Sequence, residues 1–281
     1  MKPSIVVLTD FSPAAERALA YAAELAGPLA AEVHVINVYS APAMTSRMAV
    51  VLHATNARYL REQRRTLEKA VADLSGPTTT ELVEADWDSA VSEALARYEP
   101  MLLVVGLTAT DGTLDEWLSN RSLPLARQTG YPLLLVPQHL PNATLHPPRR
   151  LVLAVTDEPF TLVPNARRVA PLLDAMNTAV VTVCVVPASK WATGEQGLRA
   201  ARQCGLAAAM PTSQLHAVVG AAAAPGILQA VAQLDADLLA LVDRGHGWLH
   251  NLAVDSVLDQ VLRDTPVPVL LLAAPQAAPQ E

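Results

Sequence analysis

An internal repeat limits the fold of this chain more than any other feature of its sequence. Residues 237–275 read DLLALVDRGHGWLHNLAVDSVLDQVLRDTPVPVLLLAAP, and a similar pattern, MLLVVGLTATDGTLDEWLSNRSLPLARQTGYPLLLVP, begins 136 positions earlier. Each copy starts with an unbroken apolar run, at residues 238–242 or 102–105, which is typical of a strand buried on both faces of a parallel sheet. A loop, a helical stretch and a second apolar run follow, so each copy is predicted to form a βαβ unit.

The segments before each copy repeat as well, which predicts the same α/β domain twice. IVVLTD, which ends at Asp10, is matched by LVLAVTD, which ends at Asp157, 147 positions later. A length of 281 residues fits two domains of ordinary size. Alternating strands and helices favour a doubly wound, five-stranded parallel sheet in each domain. The expected boundaries are a first domain at 1–138, a proline-containing linker at 139–150, a second domain at 151–275 and a tail at 276–281.

Charge and cysteine content exclude several classes of partner. A net charge of -7 and a pI near 5.5 argue against a nucleic-acid or membrane-surface protein, which would carry a basic footprint. The opening MKPSIVVLTDF lacks the apolar length of a signal peptide, and no apolar run approaches the roughly 18 residues of a spanning helix. The two cysteines, Cys184 and Cys204, form no metal or redox motif. We therefore expect a cytoplasmic protein.

Two stretches resemble the universal stress protein family. DSVLDQVLRDTPVPVLLL, at residues 255–272, is similar to the last helix and strand of that family, and IVVLTDFSPAAERALAYAAELA, at residues 5–26, is similar to its first strand and helix. The resemblance covers most of the chain and implies the strand order 3-2-1-4-5 in each domain. Single-domain relatives pair through their last strand, so residues 133–136 and 269–272 are expected to meet as antiparallel edges of an internal pseudo-dimer. Whether the chain dimerises again stays open.

The nucleotide motif of the family is incomplete in the first half of the chain. Members that bind ATP carry G-x2-G-x9-G-[S/T] after the fourth strand and an aspartate at the end of the first. Glycines there let backbone N–H groups approach phosphate at a helix N-terminus. The aspartate is present as Asp10, but the four motif positions are Gly106, Ala109, Ser119 and Asn120, so only the first glycine remains.

The second half keeps different parts of the same motif. Its strand-end acid is Asp157, and its four motif positions are Val242, Gly245, Asp255 and Ser256. An acid that ends a strand before a helix, as Asp10 and Asp157 do, is also an ordinary turn residue or cap, and we favour that structural role for both. A carboxylate at position 255 repels phosphate and caps the N–H groups that would bind it, although Arg244 offsets part of that charge. If nucleotide binding is retained, the candidate residues are Asp10, Gly106, Asn120, Asp157, Arg244, Gly245 and Ser256.

Other site chemistries find little support in the sequence. No nucleophile elbow, Walker lysine loop or zinc-protease motif occurs, and Ser256 has no base beside it in sequence. His246 and His250 are candidate metal ligands at helical spacing, but glycines between them oppose a helix. A charged helical segment, YLREQRRTLEKAVADL, carries a basic cluster that is more simply explained as a solvated face than as a docking site.

Three functional hypotheses follow. The first is a tandem universal stress protein that acts without catalysis, in a stress response, by binding an unidentified protein partner or by sensing. The second is an ATP-binding universal stress protein that hydrolyses ATP slowly with its second half. The third is a metal-responsive module that uses His246 and His250. No cofactor is expected under the first hypothesis, which disfavours ATP and magnesium.

Overall fold

A computed structural model of the protein describes residues 2–39, 49–110, 113–114, 123–186, 188, 193–244 and 257–274. The first half contains β1 (Ser4–Leu8), α1 (Pro13–Ala26), β2 (Glu32–Tyr39), α2 (Ala49–Val71), β3 (Thr78–Glu84), α3 (Trp87–Tyr98), β4 (Leu102–Leu107), β5 (Ala109–Thr110), β6 (Thr113–Leu114), α4 (Leu123–Thr129) and β7 (Leu133–Pro137). The second half contains β8 (Arg150–Val155), α5 (Ala170–Ala175), β9 (Ala179–Val186), α6 (Glu195–Gln203), β10 (Gln214–Val219), α7 (Ala223–Gln233), β11 (Leu238–Asp243), α8 (Val257–Asp264) and β12 (Val269–Ala273).

All strands except β5 and β6 form one ten-stranded sheet. Its order is β10-β9-β8-β11-β12-β7-β4-β1-β2-β3, so each half contributes five parallel strands in the order 3-2-1-4-5. The predicted α/β fold and its strand order are therefore confirmed. Helices cover both faces, as expected for strands that are apolar on both sides. β5 and β6 form a separate two-stranded hairpin after β4.

The two halves join through their last strands. β12 runs antiparallel to β7, with Val269 opposite Leu135 and Leu270 opposite Leu134. Within each half the strands of the ten-stranded sheet are parallel, so the antiparallel contact between β7 and β12 reverses the strand direction at the centre of the sheet. The carboxyl ends of the strands in one half therefore lie along the same edge of the sheet as the amino ends of the strands in the other half.

Local sequence signals explain the first helix. Ser12 is the N-cap of α1 and its Oγ accepts a hydrogen bond from the N–H of Ala15 at 3.2 Å, while Pro13 occupies the first helical position. The apolar face repeats every three or four positions and is buried against the sheet; its members are Ala15, Ala18, Leu19, Ala22 and Leu25. Gly27 follows as the C-cap and begins a short 3-10 turn.

The helices differ in length between the halves. α1 has 14 residues, whereas α5 has six and follows a five-residue 3-10 turn, Asn165–Val169. α2 has 23 residues, whereas α6, which occupies the same place between the second and third strands, has nine. Among the described residues, no helix is both long enough and apolar enough to cross a membrane.

Candidate functional site

Asp10 follows β1 and turns the chain into α1. Its Oδ1 accepts a hydrogen bond from the N–H of Ser12 at 2.9 Å, and Phe11 between them has a left-handed backbone, with φ of 64°. Thr9 Oγ1 accepts a second turn hydrogen bond, from the N–H of Phe11 at 3.1 Å. An aspartate in a turn before a helix commonly accepts such a hydrogen bond from the backbone two residues ahead. Asp10 is exposed and has a structural role whether or not a ligand binds.

Gly106, at the end of β4, packs against the first turn of α1. A Cβ atom at this position would lie 2.4 Å from the carbonyl carbon of Ala14 and 2.6 Å from the N of Ala15. Both contacts are to backbone atoms, which cannot move aside without moving the helix. The glycine is therefore required by helix–strand packing, and its presence needs no phosphate to explain it.

Asp157 follows β8 and caps the N-terminus of α6. Its Oδ2 accepts from the N–H of Thr193 at 3.1 Å and its Oδ1 accepts from the N–H of Gln196 at 2.9 Å. Gly197 lets the helix come this close, since a Cβ there would lie 2.2 Å from the carbonyl oxygen of Thr156. The first turn of α6 thus lies directly on the carboxyl end of β8.

The electrostatic environment keeps Asp157 ionised. Burial raises the pKa of this carboxyl, but hydrogen bonds from the backbone amides at the start of α6 together lower it by more than burial raises it. The pKa of Asp157 is therefore below its ordinary value. A carboxylate that already accepts two amide hydrogen bonds offers less to a ribose hydroxyl or a hydrated magnesium ion. The acid that the family motif would use is thus committed to a helix cap.

Arg244, which follows β11, is held by the loop after β8. Its guanidinium donates to the Glu158 carboxylate, to the carbonyl oxygen of Glu158 at 3.3 Å, and to the carbonyl oxygen of Pro159. The side chain is only 14% exposed, whereas that of Glu158 is 65% exposed. The cation that the sequence offered to a phosphate is therefore paired within the protein.

Asp243 forms an ion pair with Arg127 of the first half. Arg127 Nε lies 2.7 Å from Asp243 Oδ2, and the two side chains are 24% and 12% exposed. No sequence motif marks Arg127, because its partner lies 116 positions away in the other half. The one sequence signal is Asp243 itself, a charged residue at a strand end where the first half has Leu107. Arg127 brings α4 of the first half to the carboxyl edge of the second.

A separate cleft of about 480 Å³ lies at the amino edge of the first half, beside the end of α3. The ring of His34 stacks on that of Tyr98 with centroids 3.8 Å apart, and its Nδ1 lies 2.7 Å from Thr79 Oγ1. Glu81 accepts from the Tyr98 hydroxyl at 2.9 Å and from Arg97 at 2.8 Å. Burial lowers the pKa of His34, while Glu32 and Glu81 partly oppose that shift.

Several predicted residues fall outside the part of the chain that the structure describes. They are Asn120, Gly245, His246, His250 and Ser256, together with Asp255. Within the described ranges, no three His, Cys, Asp or Glu side chains are grouped so that they could hold a metal ion. Cys184 and Cys204 are buried free thiols, and burial, assisted by Asp157, raises the pKa of Cys184 to about 11.

Comparison with known proteins decides the family. The model of the universal stress protein family matches residues 1–137 and, a second time, residues 149–273. The chain belongs to the universal stress protein family. It is a tandem member, because the two matches lie end to end and cover almost the whole sequence. The resemblance noted in the sequence is therefore confirmed.

Solved structures of universal stress proteins share the tandem fold. One from Archaeoglobus fulgidus aligns over 96% of this chain and 98% of its own, with a TM-score of 0.67 and 14% identity. A putative universal stress protein from Pseudomonas aeruginosa aligns over 97% of this chain and 94% of its own, with a TM-score of 0.54 and 16% identity. At these identities the likeness shows the fold alone. No curated protein sequence matches the chain.

Proposed function

We propose that this tandem universal stress protein acts in a stress response without catalysis, by binding a protein partner or by sensing, and that it does not use ATP or magnesium. The observation that carries the proposal is the state of Asp157, whose carboxylate caps α6 with two hydrogen bonds at 3.1 and 2.9 Å. The carboxylate that would orient a nucleotide already accepts hydrogen bonds from backbone amides of the protein. A cytoplasmic location belongs to the same proposal and is supported by the two free thiols.

The other polar groups of the second-half edge support the same conclusion. Arg244 is bound to Glu158, and Asp243 is bound to Arg127. A triphosphate would have to break such contacts, each worth about 1 kcal/mol or more, before gaining its own. Asp255 adds a full negative charge at a motif position. We therefore expect any affinity for Mg-ATP to be weaker than roughly 1 mM, a free energy of about -4 kcal/mol.

Calorimetry with Mg-ATP tests this proposal. The wild-type chain is expected to give no heat of binding at micromolar concentrations, and a variant carrying Val242→Gly and Asp255→Gly is expected to gain little, because Asp157 and Arg244 keep their partners. Measurable binding by this variant would show that the missing glycines, and not the cap, prevent binding in the wild type. Since Val242 is buried and its loss could destabilise the protein, circular dichroism is needed to verify that the variant remains folded. The control variant, Val242→Ala with Asp255→Asn, removes bulk and charge without adding glycine. Binding by the glycine variant alone would assign the gain to the glycines, and binding by both would assign it to the lost bulk and charge. Micromolar binding by the wild type would favour slow ATP hydrolysis by the second half and overturn the proposal.

We also propose that the two halves act as an internal pseudo-dimer. The antiparallel pairing of β7 with β12 supports this, as do side-chain contacts that cross between the halves. Arg168 of the second half donates to the carbonyl oxygen of Glu99 at 2.8 Å, and Asn165 donates to that of Thr129 at 2.9 Å. Sedimentation velocity at nanomolar concentration, where a chain-to-chain dimer of ordinary affinity dissociates, should show a single chain with the frictional ratio of one compact body, whereas separated halves would give a larger frictional ratio.

A further inference from the structure

The outer face of α2 presents a line of cations in an otherwise acidic protein. From Ala57 to Val71 the helix carries five basic and two acidic side chains, whereas the whole chain has a net charge of -7. Arg58, Arg61, Arg65 and Lys69 are spaced i, i+3, i+7 and i+11, which places them on one side of a helix. All four are exposed. They extend for about 16 Å along the axis at 1.5 Å per residue.

The opposite side of α2 attaches the helix to the end of the sheet. Leu67 is 1% exposed and belongs to the core, and Val71 packs against the same core. α2 packs beside β3, which is an edge strand of the ten-stranded sheet. The cations therefore face away from the body of the protein, at one extreme of the molecule.

The exposed cations are poorly neutralised within the protein. Arg58 is paired with Glu62, whose Oε1 lies 3.1 Å from Arg58 Nε. Within the described ranges, the structure gives Arg61, Arg65 and Lys69 no ion pair with another side chain. A line of like charges without partners is costly to keep along one helix face, and opposite charges of a partner relieve that repulsion.

An exposed tyrosine lies beside the line of cations. Tyr59 is 42% exposed and is one of two large hydrophobic residues that are exposed among those the structure describes. Its ring lies 5.1 Å from that of Tyr39, which holds it at the surface. Tyrosine and arginine together are the residues most enriched where protein interfaces gain their binding energy. This composition favours a protein partner over a purely electrostatic one.

The second half serves as an internal comparison. α6, the counterpart of α2, has nine residues and carries Arg199 and Arg202. The guanidinium of Arg202 donates twice to the carbonyl oxygen of Ser213, at 3.0 Å, so it holds the fold together. A short helix in this place is sufficient for the domain. The 23 residues of α2 and its line of cations therefore exceed what the fold requires.

We propose that the basic stripe, defined as Arg58, Tyr59, Arg61, Arg65 and Lys69, is a docking surface for an acidic helical segment of another protein. Carboxylates spaced i, i+3, i+7 and i+11 on a facing helix match the stripe, and arginine binds carboxylates with two parallel hydrogen bonds. The inference rests on the proposed function, since it names the kind of partner. Its test is independent of the ATP calorimetry, so that either proposal can fail alone.

Fluorescence anisotropy with the full-length chain and a labelled peptide tests the stripe. The peptide is an alanine-based helix of about 20 residues, long enough for five turns, with glutamates at the matching spacing and one leucine. At low salt, where surface charges are little screened, we expect a Kd of roughly 0.1 to 1 mM, since each exposed ion pair strengthens binding by about fivefold or less. The variant Arg61→Gln/Arg65→Gln/Lys69→Gln should bind at least about tenfold more weakly, because three exposed ion pairs together contribute that much.

Two controls make the result specific. The variant Lys2→Gln/Arg149→Gln/Arg199→Gln removes the same charge from exposed sites elsewhere and should bind within about twofold of the wild type. A peptide of the same composition with its glutamates distributed around the helix should bind at least about fivefold more weakly. Equal losses in the two variants, or equal binding of the two peptides, would overturn the proposal. Tighter binding of duplex DNA or of anionic vesicles of phosphatidylserine would also overturn it, by assigning the surface to nucleic acid or to membrane.

Discussion

In the first half the strand-end acid, Asp10, bonds to the N–H two residues ahead and starts α1, whereas in the second half Asp157 reaches 36 and 39 residues ahead to cap α6. The first half covers its carboxyl edge with a long first helix that touches Gly106. The second half has a short first helix and covers its edge with α6 and two ion pairs.

This difference shows that one strand order permits two ways of covering the edge where doubly wound sheets bind ligands. The family fold therefore does not determine what that edge does, and function has to be argued from the residues of each half. Among the residues that the structure describes, the groups that matched the nucleotide motif, Asp10, Gly106, Asp157 and Arg244, have structural partners in both halves. If those partners explain why each residue is present, replacing the residue should lower the stability of the protein without any ligand.

The largest expected effect is at Gly106. Gly106→Ala should lower the free energy of unfolding by about 3 kcal/mol, because the added methyl group meets the backbone of α1. Urea denaturation measures the change. Gly27→Ala is the control, since a Cβ there meets nothing within 4 Å, and it should be close to neutral. Equal stability of both variants would show that α1 does not press on the strand end.

The next effect compares the two strand-end acids. Asp157→Ala removes a cap that accepts two hydrogen bonds and should cost about 1 to 2 kcal/mol, whereas Asp10→Ala should cost about 0.5 kcal/mol. Because the folded state lowers the pKa of Asp157, its contribution is present above the unfolded pKa of about 3.9 and is lost as pH falls through the folded value. Unfolding at pH 7 and pH 3 measures both; equal costs for the two acids would contradict the comparison.

A smaller effect is expected at the ion pair between the halves. A double-mutant cycle with Arg127→Gln and Asp243→Asn should give a coupling of about 1 kcal/mol, since the pair is partly buried. The exposed pair Arg58–Glu62 is the control and should give about 0.3 kcal/mol. The first half has Leu107 where the second has Asp243, so no equivalent coupling is expected there. A coupling near zero would show that this ion pair does not help to hold the halves together.

The smallest effect is the pH dependence at His34. Burial lowers its folded pKa, so the unfolded chain takes up a proton first, and stability should decrease as pH falls from about 6.5 to the folded value. The residues that face it are Glu32, Thr79, Glu81, Arg97 and Tyr98. The difference between wild type and His34→Gln isolates this titration, because the other six of the seven histidines are common to both proteins. A constant difference between pH 7 and pH 5 would contradict it. No equivalent titration is expected in the second half, which has Val181 at the matching position.

Patterns that act over a few residues were sufficient to predict the strands and helices of the fold. Unbroken apolar runs such as residues 102–105 became central strands, because only strands buried on both faces need such a sequence. Ser12 and Pro13 marked the start of α1 because capping is a contact within one turn. The strand order came from the family resemblance and from no local pattern.

The contacts of the candidate site could not be predicted in this way. Asp157 and its partner amides are 36 or more residues apart, and Arg127 and Asp243 are 116 apart. Such pairs depend on how helices dock on the sheet, and neither periodicity nor motif spacing carries that information. Gly106 is a further example of a contact that the sequence alone does not predict. The family motif offers phosphate binding as the reason for this glycine, and no sequence pattern shows that a neighbouring backbone requires it.

The antiparallel contact between β7 and β12 has a consequence for exchange between molecules. Both strand edges at the centre of the sheet are occupied within one chain, so neither can accept the last strand of another family member. Mixed pairs with single-domain relatives would require this contact to open first. At this contact a first half therefore meets the second half of its own chain, so the pairing does not depend on the concentration of other family members.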